Sequence, residues 1–298
     1  FYFMAPTRER YEQQPSYDLA DPPVLAAARK LAEAGWEIGP HILGPDSDDI
    51  AAQVQRFAQL TGTQPRGCRS HYLAHRYDTL DAKAAAGLIY DSTWYAEQDR
   101  HAYLCGTVFP FRPPSSTAPE PLPLVELCNV VEDGIVFRVY MRDGEPRSLE
   151  EAESHAEEAV SQALQRCGLA VLNWHQRTFW GMDAYSGSPP NWTPAFRAAV
   201  QRAQESENVW HALPKEIARW WLQRSRIRLQ LHEGAIAAIN ESEAQFYGAA
   251  ALAGLFVQPK AARELGLVQT PAGWAVPLCL GPGEHKTIWP LNHDSPND

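Results

Sequence analysis

The sequence predicts an α/β fold, a parallel sheet or (β/α) barrel followed by a small β-rich module, and three observations predict it. Short apolar runs alternate with amphipathic helical segments from the start of the chain to about residue 225, the pattern of repeated strand–helix units. The runs Leu124 to Val131 and Leu169 to Trp174 are close to continuously apolar, as strands covered on both faces are. Beyond Ser225 the character changes to short alternating segments such as Ile227 to His232, separated by Gly and Pro. With 298 residues, 45% of them hydrophobic, the chain can bury one large core and a smaller one. The division expected is 1–225, 226–291 and a disordered tail, 292–298.

The elements follow in order. Phe1–Met4 reads as a strand. Pro23 to Ala34 carries Val24, Ala27, Ala28, Leu31 and Ala32 at helical spacing. Trp36–Gly39 reads as a short strand, and Ser47-Asp48-Asp49 offers a cap for a helix running to Leu60. Gly67–Leu73 comes next, then a helix over 78–86, a strand over 88–90 and a Pro-rich stretch over 110–123. Strand 124–131, a Glu- and Ala-rich helix over 148–167 and the run ending at His175 complete the larger unit, with helices over 194–206 and 214–224. Functional groups on such a scaffold belong at the C-terminal ends of the strands.

Composition excludes several functions. Net charge is −10, from 26 basic and 36 acidic residues, and no basic cluster could neutralise a row of phosphates, so no nucleic acid is expected as a partner. The longest apolar run, Phe246 to Val257, falls well short of the roughly 20 residues that span a bilayer. The five cysteines are scattered, with no CxxC pair, and read as small core residues in a reducing compartment. A cytoplasmic location follows as the default. The opening Phe1-Tyr2-Phe3-Met4 reads as a strand already under way, so an upstream segment, a signal peptide included, is expected to be missing. The motifs G-x-S-x-G, H-E-x-x-H and G-x-G-x-x-G are absent from the sequence.

Three histidines stand at predicted strand ends: His41, His71 and His175. Neutral imidazoles from separate strands suit a zinc-like ion with one position left for water. An imidazole that ligates nothing can instead act as acid or base near neutral pH. A lone histidine after a strand is more often a hydrogen-bonded structural group, and three at equivalent ends weaken that bland reading. Trp94, Trp174 and Trp180 are the candidates for stacking on a sugar ring. Trp220-Trp221 reads as helix core, and the Glu-rich run over 150–158 as a solvated helix face.

A family resemblance is carried by an ordered set of segments. Gly35-Trp-Glu-Ile-Gly-Pro-His41 resembles the second motif of the polysaccharide deacetylases of NodB type, and Gly67-Cys-Arg69-Ser-His71-Tyr72 is similar to their arginine-containing third. Gly87-Leu-Ile-Tyr-Asp91-Ser92-Thr93 resembles the fourth, followed by matching segments at 106–111 and 122–127. Val171-Leu172-Asn173-Trp174-His175 resembles the fifth. The set covers residues 1 to about 225 and implies a distorted (β/α) barrel of NodB type.

The resemblance also implies roles. His41 matches a metal ligand and His71 a replacement second ligand. Arg69 matches the arginine that orients a catalytic aspartate, and Tyr72 the position whose backbone N–H helps hold an oxyanion. His175 matches the general acid, and Asp91 the residue that tunes it. The implied cofactor is a divalent metal, zinc above all, and the implied substrate a carbohydrate or small N-acyl compound whose C–N amide bond is hydrolysed.

Two departures stand out. The family's first motif, a strand ending in paired aspartates, would precede Phe1; Asp18 and Asp21 are poor substitutes in a loop. Position 45 is Pro where a second histidine is usual, with Asp46 a weaker alternative to His71. The chain as given is therefore expected to be inactive by itself. A catalytically inactive sugar-binding relative and a barrel hydrolase of cyclic amides are the rival readings.

Overall fold

A computed structural model of the chain describes residues 1–9, 11, 17–96, 106–136, 148–179, 192–207, 209–232, 235–251, 266–270 and 273–290. The chain divides into two compact units, Phe1–Ala218 and Arg219–Asp298.

In the first unit, strands and helices alternate. β1 (Tyr2–Phe3), α1 (Pro22–Glu33), β2 (Gly39–Ile42), α2 (Ser47–Thr61) and β3 (Gly67–Ser70) lead into a single 3-10 turn, His71–Leu73. α3 (Thr79–Ala85), β4 (Tyr90–Asp91), β5 (Val125–Glu126), β6 (Val131–Glu132) and the short α4 (Asp133–Val136) follow. α5 (Leu149–Gln165), β7 (Leu172–Asn173), α6 (Thr193–Gln204) and α7 (Pro214–Arg224), which runs past the division, close the series.

Strands β1 to β5 form one sheet in chain order, and every ladder in it is parallel. β6 and β7 form a second parallel pair, and a parallel bridge, Tyr95 with Asn129, continues the line between them. Successive parallel strands lying side by side place all their C-terminal ends at one edge. No ladder from β7 back to β1 is present among the described residues. The expected α/β class with a parallel sheet is therefore present.

Helices cover the sheet with apolar stripes. Ala28 of α1 and Phe57 of α2 are buried in one cluster with Ile38, and Ile50 and Val54 of α2 in another with Ile42 of β2, Cys68 of β3, and Leu88 and Leu124, which lead into β4 and β5. α5 and α6 meet on small residues, Ala152, Ala156 and Ala163 against Ala195 and Ala199, which lets the two helices approach closely. Glu150, Glu151, Glu157 and Glu158 stay exposed on the opposite face. α5 starts on a capping box: Glu151 N donates to Ser148 Oγ, and Ser148 N donates to the Glu151 carboxylate.

Two expectations shift. The strand expected over 36–39 begins at Gly39 and runs to Ile42, so His41 lies within it. Cys128 is disulfide-bonded, to a partner outside the described residues, while Cys68, Cys167 and Cys279 are free. The reading of all five cysteines as reduced core residues is corrected at that position and at Cys167 and Cys279, which are exposed; wide spacing in sequence says nothing about which side chains a fold brings together.

The second unit is antiparallel. β8 (Ile227–His232), β9 (Ala235–Asn240) and β13 (His285–Pro290) form one sheet, and β10 (Phe246–Ala251), β11 (Val268–Thr270) and β12 (Gly273–Leu280) another. Ala238, Phe246, Leu278, Leu280 and Ile288 make its core. Trp220 stacks on Phe246 and donates its indole N–H to the Tyr247 carbonyl at 2.8 Å, in keeping with its expected core role. No described helix is long and apolar enough to cross a membrane.

Candidate active site

The strand ends gather the expected histidines. His41 leaves β2 in register with Arg69 of β3, and Gln53 fixes the turn beyond it. Gln53 accepts from Leu43 N at 2.8 Å and donates to Leu43 O at 2.9 Å and to Asp49 at 2.8 Å, with no exposure. His41 Nδ1 lies 3.1 Å from the Arg69 carbonyl. A carbonyl only accepts, so Nδ1 carries the proton and Nε2 presents a lone pair.

That lone pair faces His71: Nε2 of His41 and Nδ1 of His71 are 3.2 Å apart, with the rings edge to face. His175 stands close enough for its charge to act on His41. Burial first, then the charges of His71, Arg69 and His175, hold His41 well below the usual imidazole range. It stays neutral near pH 7 and below, the state a metal ligand requires.

The spacing of the two imidazoles suits a divalent ion, of which they would be two of the ligands. Two imidazole nitrogens on one tetrahedral zinc, each about 2.0–2.1 Å from it, lie about 3.3 Å apart, close to the 3.2 Å observed. A carbonyl on the far nitrogen of His41 is the usual outer partner of a ligating histidine.

His175 is oriented by Asp133. Asp133 Oδ1 takes His175 Nδ1 at 2.9 Å, Oδ2 takes His175 N at 2.9 Å, and Gly134 N donates to Oδ1 at 2.8 Å. The carboxylate is nearly inaccessible and the imidazole about a third exposed. Asp91, expected to tune His175, instead pairs with Lys83 at 2.8 Å with neither side chain exposed. The imidazole and the carboxylate come from neighbouring strand ends, β7 and β6, and Asp91 ends β4.

Glu132, Asp133 and His175 bring one donor atom each within 4.8 Å of one another. Tyr95 donates its hydroxyl to Glu132, and Asp133 receives the three N–H groups above. A carboxylate has about four lone-pair sites, so the trio is hydrogen-bonded together and still offers donor atoms that could hold a metal ion.

Arg69 is buried and reaches four acceptors: the Ser92 carbonyl at 2.7 Å, Ser92 Oγ at 2.9 Å, Asn129 Oδ1 at 2.6 Å and Asn173 Oδ1 at 2.9 Å. Asn173 in turn donates to Tyr95 Oη at 3.0 Å. The network thus runs from Arg69 through Asn173 and Tyr95 to Glu132. Burial, and then the Glu132 charge, push the Tyr95 phenol well up. No carboxylate among the described residues pairs with Arg69.

The remaining candidates divide. Tyr72 is 63% exposed and packs on the His71 ring at 4.3 Å. It and Leu73 have φ of 50° and 56°, so the chain turns back directly after the imidazole. Trp94 lies 5.0 Å from the His75 ring and 6.1 Å from Phe111, half-buried between two core clusters. Trp174 packs on Phe196 at 5.5 Å, its indole N–H buried without a partner among the described residues. Trp180 lies outside the described residues. Asp46 is held by Arg8 and Arg76, each at 3.0 Å, and Asp18 by Arg56 at 2.8 Å.

Sequence reasoning missed Glu132, Asp133, Tyr95 and Asn129. For the first two the signal is present: Val130-Val131-Glu132-Asp133 is an apolar strand ending in paired acids, the pattern sought only upstream of Phe1.

No family model and no curated protein matches the chain. Among solved structures it is similar to a protein of Mycobacterium smegmatis named as a polysaccharide deacetylase, with 21% identity, 65% of each chain covered and a TM-score of 0.49. It is similar to a protein of Pseudomonas aeruginosa PAO1 also named as a polysaccharide deacetylase, with 18% identity, 66% of this chain and 62% of the other covered, and a TM-score of 0.46. The allantoinase PuuE shows 16% identity, 66% and 62% coverage and a TM-score of 0.46. The chain thus spans a little under two thirds of the length of each.

Proposed function

We propose that the chain is the core of a polysaccharide-deacetylase-like hydrolase that uses a divalent metal, zinc in the first instance, to cleave a non-peptide C–N amide bond on an N-acylated sugar. The scaffold proposed is the distorted (β/α) barrel. The observation that supports this reading most is the 3.2 Å approach of His41 Nε2 to His71 Nδ1, with His41 neutral and tied to a carbonyl through its other nitrogen.

In this reading His41 and His71 hold the ion. When bound, a divalent ion supplies a water acidified toward neutral pH and a Lewis acid for the amide carbonyl. Asp133 keeps the proton of His175 Nδ1 in its bond, so the proton donated to the leaving amine sits on Nε2. The buried guanidinium of Arg69 fixes the ends of β3, β4 and β7 through Ser92 and Asn173 and sets a fixed positive charge near His41, where negative charge would develop. Trp94 and Trp174 are the side chains proposed to meet the sugar.

The test is metal titration of the protein with zinc, followed by release of acetate from a panel of N-acetylated sugars. One zinc per chain with turnover that needs His175 supports the proposal. Zinc binding that survives loss of both His41 and His71 refutes the ligand assignment, and turnover confined to cyclic amides refutes the substrate class.

A further inference from the structure

A second ionisable group lies behind the imidazoles. Lys83 of α3, Asp91 of β4 and Glu126 of β5 are each 0% exposed, and Asp91 and Glu126 are direct partners in the parallel ladder. Lys83 Nζ pairs with Asp91 Oδ1 at 2.8 Å and donates to Ser70 Oγ at 2.9 Å and Thr93 Oγ1 at 3.2 Å. Asp91 Oδ1 also accepts from Thr93 Oγ1 at 2.8 Å and from the Cys68 thiol at 3.4 Å. Glu126 Oε1 accepts the backbone N–H groups of Thr93 and Trp94 at 3.0 and 2.9 Å.

Two oxygens are left over. Asp91 Oδ2 and Glu126 Oε2 are both buried and without a hydrogen-bond partner, on residues that stand side by side in the parallel ladder. Two ionised carboxylates have no hydrogen to share, and an unpaired buried anion is strongly unfavourable. One cation for two carboxyls leaves one negative charge in excess, which a single proton removes.

We infer that Asp91 and Glu126 hold one proton between them, with Glu126 as the neutral acid donating from Oε2 to Asp91 Oδ2, and that Glu126 thereby serves as a positioning residue for the Thr93–Trp94 turn. The assignment to Glu126 follows from the partners. Asp91 has Lys83, a hydroxyl and a thiol on it, all of which favour its charge. Glu126 has two backbone donors on one oxygen, as a neutral carboxyl's carbonyl accepts, and the Asp91 charge beside the other. Burial and that neighbouring charge also push the Glu126 carboxyl well above the usual carboxylate range. The charged or titratable groups facing it are Lys83 from α3, Cys68 from β3 and Asp91 from β4.

The proton matters to the pocket through short steps. Thr93 Oγ1 accepts from Ser70 N at 3.0 Å, directly before His71, and the Ser92 carbonyl and hydroxyl hold Arg69. The inference needs no bound ion and stands whether or not the hydrolase reading does.

Glu126→Gln tests it, because the amide keeps one acceptor for Thr93 and Trp94 and one N–H for Asp91. The urea midpoint of Glu126→Gln is expected to equal or exceed the wild type's at neutral pH, because the folded glutamate must take up a proton that the amide does not need, while that of Glu126→Ala falls clearly. An infrared spectrum of protein labelled at the glutamate carboxyls is expected to show a neutral-acid carbonyl band near pH 7. That band should vanish in Glu126→Gln and persist in Glu157→Gln, at an exposed control position. No neutral-acid band in the wild type, or a Gln variant as unstable as the Ala variant, overturns the inference.

Discussion

His41 Nε2 and His71 Nδ1 lie 3.2 Å apart, one inside the β2–β3 ladder and the other directly after its last pair, Ile42 with Ser70. The approach takes the 3-10 turn at His71–Leu73, with both Tyr72 and Leu73 in left-handed conformation. Backbone in that region is costly for residues other than Gly and collects at functional sites. The cost is met where it brings one imidazole onto the other.

Removal of either imidazole should therefore remove the ion. His41→Ala and His71→Ala are each expected to weaken zinc binding by more than about 100-fold, beyond what loss of an outer partner does. Equilibrium dialysis with metal analysis measures it, and near wild-type affinity in both variants would defeat the pairing.

His175 and Asp133 should separate chemistry from binding. His175→Ala is expected to lower turnover by about 10²–10⁴-fold, the usual contribution of general acid–base catalysis, with zinc content unchanged. Asp133→Asn should give a smaller loss, since it keeps an acceptor but no charge on Nδ1. Steady-state kinetics with metal analysis on the same samples decides. An Asp91→Asn variant that mimics His175→Ala while Asp133→Asn does not would restore Asp91 as the tuning residue.

Arg69 should resist even its nearest replacement. Lysine cannot span Ser92, Asn129 and Asn173 from one planar fork. Arg69→Lys is expected to cost about 2–4 kcal/mol, as buried acceptors lose their donors, measured by urea unfolding. A loss of less than about 0.5 kcal/mol, the scale of an ordinary surface substitution, would count against the network.

How far the sequence discloses this arrangement depends on range. α5 is legible because its signals are local: Ser148, Glu151 and the Ala repeat lie within one helix. The three histidines are legible because each ends or follows an apolar run. Asp133 carries a local signal, paired acids after an apolar strand, but its role exists only once β7 is laid beside β6. Asp91 misleads for the same reason: Lys83, which claims it, arrives on a helix packed behind the strand. The start of β2 is misjudged because Trp36, Glu37 and Ile38 alternate like a strand while the ladder begins at Gly39.

The pH dependence of the metal-free protein should show two limbs. His41 is held below its ordinary value of 6.5 and His75 is lowered to about 4, both chiefly by burial. Below about pH 6.5 the unfolded chain binds more protons than the folded one. Stability is thus full above that pH and drains away as pH falls, at up to about 1.4 kcal/mol per unit for each uncoupled group. Glu126 acts in reverse: with its folded value raised, its contribution is complete below the ordinary carboxyl range and is lost as pH rises. Urea midpoints at pH 7, 6 and 5 should fall less for His75→Gln than for the wild type, and an equal fall would contradict the acid limb.

The cap of α5 gives a further check. Ser148→Ala is expected to cost about 1 kcal/mol, read from the urea midpoint; no measurable change would mean that the box contributes nothing in solution.

Gly39 and Gly67 open the two strands that carry His41 and Arg69. A methyl group on Gly39 would come within 2.5 Å of the Gly67 carbonyl oxygen, and one on Gly67 within 2.2 Å of the Tyr90 ring. The two bare positions act as a spacer two residues upstream of the chemistry, fixing how near the neighbouring chains lie. Variation there would be felt as altered reach at the pocket, so these silent-looking glycines are places where drift or laboratory selection could retune the grip on an ion while every reactive side chain stays the same.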